Sequence, residues 1–368
     1  MKATIIQANF AKALNSVSRV VSNRTTLPVL NNVLIEAKDG KLNMSATDLE
    51  IAISAKIIGK VDSDGIITIP ARLLSDFVLN NKDKSIDISL NGLNLNLKSE
   101  HFEANIKGID AEEFPTIPAS DKKSFVKIKT TELTEAIRKV SFAAANDDTR
   151  PVLAGVLFKF TDKELLLAAT DSYRLAEAKI DVAEIKEEKE IIVPARTLNE
   201  LNRVLSSVEL DGEVEIVIDE TQIFFTVADI RLVSRLIEGS FPNYNQIIPE
   251  SSKISLSADI AETLSALKMS ALFAKDIANN IKLHIKKGEL IIKSAAGESG
   301  DTTSKINADT SGGDLEIAFN ARYLIDVMNI LSGKKVEMKF NDDSSPCIIS
   351  CDKDKNYLYL AMPLKTDN

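Results

Sequence analysis

Along residues 8–21, "ANFAKALNSVSRVV", apolar side chains recur three or four positions apart: Phe10, Leu14, Val17 and Val21. That spacing predicts an amphipathic helix with one core-facing stripe. The pattern returns at 131–145 with Leu133, Ile137 and Val140, and at 258–273 with Ile260, Leu264 and Leu267. Between the helices the period drops to two. "KLNMSA", "IAISAKI" and "GIITI" (residues 41–46, 51–57 and 65–69) alternate apolar and polar, as half-buried strands do. A second helix starts at each Ala-Arg pair. More strands follow it in "SIDISLNGLNLNLKS", "EVEIVIDETQIFFTVAD" and "KVEMKFNDDSSPCIISC". Each third of the chain thus reads helix, strands, helix, strands. Two helices can then cover one side of antiparallel sheets, an α+β layering.

The thirds are copies of one another. "NNVLIEAKDGKLNMSATD" (31–48) aligns with "AGVLFKFTDKELLLAATD" (154–171), 123 positions on, and with "NNIKLHIKKGELIIKSAA" (279–296), 248 on. "IPARLLSDFV" (69–78), "VPARTLNELN" (193–202) and "FNARYLIDVM" (319–328) recur at nearly the same offsets. An acid stands four residues after each Arg: Asp76, Glu200 and Asp326. Such a period exceeds the roughly 20–50 residues of a solenoid unit, so each copy is expected to be a domain with its own core. "EEFPTIPASDKKS" (112–124) and "GSFPNYNQIIPESSK" (239–253) carry matching Phe-Pro and Ile-Pro signals and read as linkers. The expected domains are residues 1–120, 121–250 and 251–368.

Composition narrows the function. Aromatics are 5% and Trp is absent, so the cores must be built from Leu, Ile, Val and Ala. Net charge is −9, which argues against uniform coating of DNA but leaves room for a gathered basic face. The cations favour helices: Lys12 and Arg19, Arg138 and Lys139, Lys268, and Arg72, Arg196, Arg203 and Arg322 on the Ala-Arg helices. Acids such as Asp62, Asp64 and Glu103 favour strands and turns. Helices sharing one side would make that side basic; the plainer reading is solvated helix surface. Cys347 and Cys351 form no disulfide framework and fit a reducing cytoplasm. The start, "MKATIIQANFAKAL", reads as a strand and a helix rather than a signal peptide. No stretch nears the roughly 18 apolar residues of a membrane span.

An enzyme is the rival class. The two histidines, His101 and His284, lie far apart in sequence, and no metal spacing, phosphate loop or nucleophile elbow is present. The Asp that closes Ala-Thr-Asp, Asp48 and Asp171, suits a turn better than catalysis. A scaffold that binds proteins but no DNA is a third class.

A set of phrases carries a resemblance over essentially the whole chain: "RTTLPVLNNVLIEA", "ATDLEI", "TIPARLLSDF", "TRPVLAGVLF", "ATDSYRLA", "IVPARTLNEL", "LIEGSFPNYNQIIP" and "YLAMPLK". In these the chain resembles the bacterial β sliding-clamp family, the non-catalytic processivity subunit of DNA polymerase III. The resemblance implies three homologous clamp domains, each two helices packed on antiparallel sheets, together forming half of a ring. It implies a head-to-tail homodimer around double-stranded DNA, a cytoplasmic place, and no cofactor, metal or catalytic residue. Its partners would be the polymerase III alpha subunit, the clamp loader and other proteins with a clamp-binding motif. By position, Arg24, Arg150, Asn146 and Asp147 would lie nearest the duplex, with Lys12, Arg72 and Arg196 beside them. Phe102, Ala104 and Ile106 would meet Leu272 and Phe273 across the dimer contact. A peptide groove would be lined by Leu153, Thr170, Ser172, Tyr173, Arg174, Leu175, Pro242, Ile247, Met362, Pro363 and Leu364.

Overall fold

The helical stripes hold their expected places, with shorter ends. In the computed structural model, which describes residues 1–21, 27–147, 149–183, 185, 187–208, 211–275, 278–297 and 300–365, the α-helices are α1 (Gln7–Val17), α2 (Ala71–Asn80), α3 (Thr130–Val140), α4 (Ala195–Leu205), α5 (Ile260–Ala274) and α6 (Ala321–Ile330). Phe10, Leu14 and Val17 are buried on α1, and Leu133, Ile137 and Val140 on α3. Val21 falls outside its helix. The Ser16 and Ser18 hydroxyls donate back to the Lys12 and Leu14 carbonyls, at 3.1 and 2.6 Å. Such bonds compete with the helix ladder. The chain tightens into a 3₁₀ turn, Ser18–Val20, and Val20 enters the core instead. On α5, Ile260 and Leu267 are buried while Leu264 is half-buried.

The strands form three antiparallel sheets. The five-stranded sheet runs Gly59–Ser63, Lys2–Ile6, Ser85–Asn91, Asn94–Lys98, Glu103–Lys107. The eight-stranded sheet runs Val126–Lys129, Glu213–Ile218, Gln222–Val227, Ile230–Arg235, Ile51–Ile57, Lys41–Thr47, Asn32–Lys38, Gly65–Pro70. The twelve-stranded sheet runs Lys189–Pro194, Gly155–Thr161, Glu164–Thr170, Arg174–Asp181, Tyr357–Ala361, Cys347–Cys351, Lys335–Phe340, Ile254–Asp259, Gly300–Ser311, Glu289–Gly297, Asn280–Lys286, Leu315–Asn320. Helices α1 and α2 pack on each other, and α1 lies on strands Lys41–Thr47 and Ile51–Ile57.

The two larger sheets cross the copy junctions. Ile51–Ile57 of the first copy pairs with Ile230–Arg235 of the second, Ala52 opposite Val233. Arg174–Asp181 of the second pairs with Tyr357–Ala361 of the third, Leu175 opposite Leu360. The chain accordingly folds as two units, Met1–Leu133 with Arg196–Leu236, and Thr134–Ala195 with Ile237–Asn368. The second copy is divided between them. The ladder of backbone hydrogen bonds does not stop where the repeat stops: the sheets run on from one copy into the next. Cys347 and Cys351 are buried and unbonded. No helix among the described residues is long and apolar enough to cross a membrane.

Candidate functional site

The Ala-Thr-Asp phrase builds the same turn twice. In the first copy the Asp48 carboxylate accepts from the Glu50 and Ile51 amides, at 3.1 and 2.8 Å. Thr47 Oγ1 donates to the Ile51 carbonyl and accepts from the Leu49 amide. In the second copy Asp171 accepts from Tyr173 and Arg174, at 2.9 and 3.0 Å, and Thr170 repeats the role of Thr47. The residue after each Asp has a positive φ, 79° at Leu49 and 80° at Ser172. Side chains rarely adopt that conformation, so the paired Thr and Asp bonds must hold it.

Around the second turn lies a cavity of about 160 Å³, walled by Leu153, Thr170, Ser172, Arg174, Leu175, Pro242, Asn243, Tyr244, Ile247, Leu360 and Met362. Eight of the eleven groove positions expected from sequence meet there. Tyr173, Pro363 and Leu364 do not line it. Tyr173 is exposed, and its carbonyl accepts from the Met362 amide at 2.8 Å. The Leu364 amide donates to the Ala318 carbonyl on the outer strand Leu315–Asn320, at 2.8 Å. These bonds tie down the tail that carries Met362. The floor is a cluster of Leu157, Ala168, Leu175, Tyr244 and Leu360, with Phe241 and Ile248 against it. Tyr244 donates to a Glu177 oxygen at 2.6 Å. Burial, with that bond, pushes its phenol well above its ordinary range.

Asn243, Tyr244 and Leu360 are absent from the sequence expectation. Tyr244 and Asn243 sit in the phrase read as a linker, which instead turns as a 3₁₀ helix, Tyr244–Ile247, and forms a wall. Leu360 had a signal: it stands two residues before Met362, so strand alternation puts both on one side.

Arg174 is held on every side. Its side chain is 7% exposed, with Nε on Asp171 at 3.0 Å and Nη1 on Asp326 at 2.6 Å. The guanidinium lies 4.7 Å from the centre of the Tyr323 ring and 5.4 Å from that of Phe142. Burial alone would lower its pKa, but Tyr359 and the two carboxylates outweigh this and hold it above the ordinary value.

The expected duplex-side residues fare differently. Lys12 and Arg72 are exposed on α1 and α2, and Asn146 and Asp147 are exposed in the 146–150 segment. Arg196 is exposed but sits 2.6 Å from the Asp48 carboxylate. Arg150 donates through Nη1 to Ser172 Oγ at 2.8 Å, at the cavity. Arg24 lies outside the described residues. Two helix cations are drawn inward: Arg138 binds Glu135 at 2.7 Å and the Ile330 carbonyl at 3.2 Å, and Lys139 pairs with Asp354. The charge sorting read from sequence therefore overstates the free basic surface on α3.

The expected dimer residues also divide. Phe102 and Leu272 are exposed, 51% and 58%. Ala104 and Phe273 are half-buried. Ile106 is buried in its own sheet, opposite Leu95. It shares a strand face with Ala104, and Glu103–Lys107 is the outer strand of its sheet. One trio, Asp83, Glu100 and His101, brings donor atoms within 4.8 Å. Its His101 Nδ1 is bound to Asp83 at 2.8 Å, so the ring is committed to the carboxylate.

Comparison with known proteins gives three consecutive matches to DNA polymerase III beta subunit models: N-terminal domain over residues 1–118, central domain over 127–243 and C-terminal domain over 245–365. A beta sliding clamp of Staphylococcus epidermidis is 30% identical over 377 residues, covering 100% of both chains. The crystal structure of the DNA polymerase III subunit beta from Pseudomonas aeruginosa superposes with a TM-score of 0.94 at 30% identity. That of the DNA polymerase sliding clamp from Bacillus subtilis does so with 0.94 at 29%. Both cover 100% of each chain.

Proposed function

The chain belongs to the bacterial β sliding clamp family, and on that premise we propose that it is a non-catalytic clamp that keeps a replicative polymerase on duplex DNA. The observation that carries this reading is the threefold chain, matched in order by the three beta-subunit domains. Residues 1–120, 121–250 and 251–368 are its domains, and the cytoplasm is its place of work. A second copy closes head to tail on the first. Exposed Phe102 and the outer strand Glu103–Lys107 on one copy, with exposed Leu272 and half-buried Phe273 on the other, support that contact.

DNA contact is weak and blind to sequence. Lys12, Arg72 and Arg196 supply phosphate contacts whose strength falls with salt and which read no bases. Arg24, Asn146 and Asp147 are further candidates for contact with the duplex in this reading. Sliding requires such contacts to be few, so closure of the ring, not affinity, retains the DNA.

The cavity at Leu153, Leu175, Leu360 and Met362 takes a short peptide with apolar anchors from polymerase, loader or other partners. Each buried anchor contributes roughly 1.5–3 kcal/mol. Two or three, less the ordering cost, give about −8 kcal/mol, a micromolar and exchangeable affinity. The test is retention on nicked circular DNA after loading. Circles hold the protein through gel filtration and linearised DNA releases it; equal retention on both rejects the clamp. Met362→Glu abolishes peptide binding while the dimer persists in sedimentation.

A further inference from the structure

We propose that the outward face of the third copy's sheet, around Lys282, Lys293 and Lys305, is a docking surface for an acidic protein segment. Helix α5 covers the other side of strands Asn280–Lys286, Glu289–Gly297 and Gly300–Ser311. There Leu283, Ile285, Leu290 and Ile292 are buried. Alternation turns Lys282, His284 and Lys286 the opposite way. Strand pairing then sets three rows across the face. Lys282 stands directly opposite Lys293. His284 lies between Glu316 and Ile291, with Lys305 beyond Ile291. Lys286 is opposite Glu289. Four lysines thus share these rows with two carboxylates, on a chain whose net charge is −9. An acidic partner is repelled by the chain as a whole and drawn to this face.

The two carboxylates leave charge over. Glu316 is divided, with Oε1 on Lys282 at 2.8 Å and Oε2 on His284 Nδ1 at 3.1 Å. Lys286, Lys293 and Lys305 are exposed and form no ion pair among the described residues. Like charges directly opposite on neighbouring strands repel. Lys282 and Lys293 hold such a repulsion, and an added carboxylate relieves it. His284 senses the same field. Burial, with Lys293, Lys282 and Lys286, holds its pKa below the ordinary value against the pull of Glu316.

The chemistry favours a protein segment over a nucleic acid. These rows carry no Phe, Tyr or Trp on which bases could stack. Glu289 and Glu316 also interrupt the field that a continuous phosphate chain would follow. Carboxylates on separate side chains can settle on Lys293 and Lys305 and avoid both. The face borders the chain's tail, since Ala318, opposite Lys282, accepts from the Leu364 amide through its carbonyl.

Fluorescence anisotropy with the full chain tests this. The probe is a labelled, end-blocked peptide of alternating Glu and Ser with five Glu. It is compared with its Glu→Gln version and with a six-nucleotide oligothymidylate of equal charge. The Glu peptide binds about tenfold more tightly than either, and raised salt closes the gap. Lys293→Glu with Lys305→Glu removes that preference. Lys293→Gln with Lys305→Gln, which adds no carboxylate, weakens binding about threefold. The same double reversal at Lys38 and Lys41, an opposed pair on the first copy's sheet, leaves it unchanged. The His284 titration midpoint, followed by NMR, rises with the Glu peptide and not with the Gln peptide. Equal binding of the two peptides, tighter binding of the oligothymidylate, an unmoved His284 midpoint, or equal loss in the Lys38 and Lys41 variant overturns the proposal.

Discussion

At the first copy junction Ala52 faces Val233; at the second Leu175 faces Leu360. The Thr-Asp turn beside each is the same, bond for bond. Yet at the second junction a cavity opens beside that turn, whereas at the first a cavity of about 100 Å³ lies farther along the paired strands, against Ala55, Lys56, Ala228 and Ile230. The linkers account for much of the difference. Phe-Pro and Ile-Pro close "FPTIP" (114–118) in one and "FPNYNQIIP" (241–249) in the other, which is four residues longer. In the short linker Ile117 packs both against Val29, Leu30 and Phe114 and against Ala52, Phe224 and Val233. In the long one the added residues form Tyr244–Ile247, and Ile247 stays 44% exposed. The charged partners have also moved. Asp48 meets Arg196, from the Ala-Arg helix, whereas Asp171 meets Arg174, from its own turn, which reaches on to Asp326. The second seam thus differs from the first in a longer cover and in an arginine drawn inside.

The largest effect should follow from undoing the linker. Removing four residues between Pro242 and Pro249 is expected to abolish peptide binding in calorimetry. Hydrogen exchange should still protect strand Arg174–Asp181. Retained binding would mean that the walls, not the linker, make the cavity. Next comes the arginine. Arg174→Ala leaves Asp171 without its buried partner and should cost about 3 kcal/mol. Arg196→Ala, at a pair whose arginine is 62% exposed, should cost less than about 1 kcal/mol. Denaturant titrations of the two variants test this, and equal losses would erase the contrast. The smallest effect concerns Tyr244. Its phenol pKa is raised in the folded state, so the contribution is full below the ordinary value of 10.0 and falls as pH rises above it. Tyr244→Phe should cost about 1 kcal/mol at neutral pH and flatten that alkaline decline. An unchanged decline in melting temperature would assign it to other groups.

Much of this was legible in the chain itself. Period-two alternation marked the hairpin strands, and period 3.6 marked the faces of α1, α3 and α5, because local geometry dictates both. The repeat located both linkers and both Asp turns. What escaped depends on distant partners. Nothing in "RLVSR" or "YLYLA" says which strand from another copy will lie beside it. Arg138, Lys139 and Arg150 look alike as helix or loop cations. Only the arrival of Glu135, Asp354 or Ser172 decides which of them is spent. Tyr244 was hidden by its company, since Pro and Asn around it speak of a loop.

The strand pairing across the copy junctions has a consequence for how such a protein can be cut or recombined. A fragment ending after the first third would leave Ile51–Ile57 with bare amides and carbonyls, ready to capture a stray strand. One lacking the last third would do the same to Arg174–Asp181. The smallest piece able to stand alone is therefore larger than the unit that was duplicated, and exchanging a single third between relatives succeeds only if both foreign edges match.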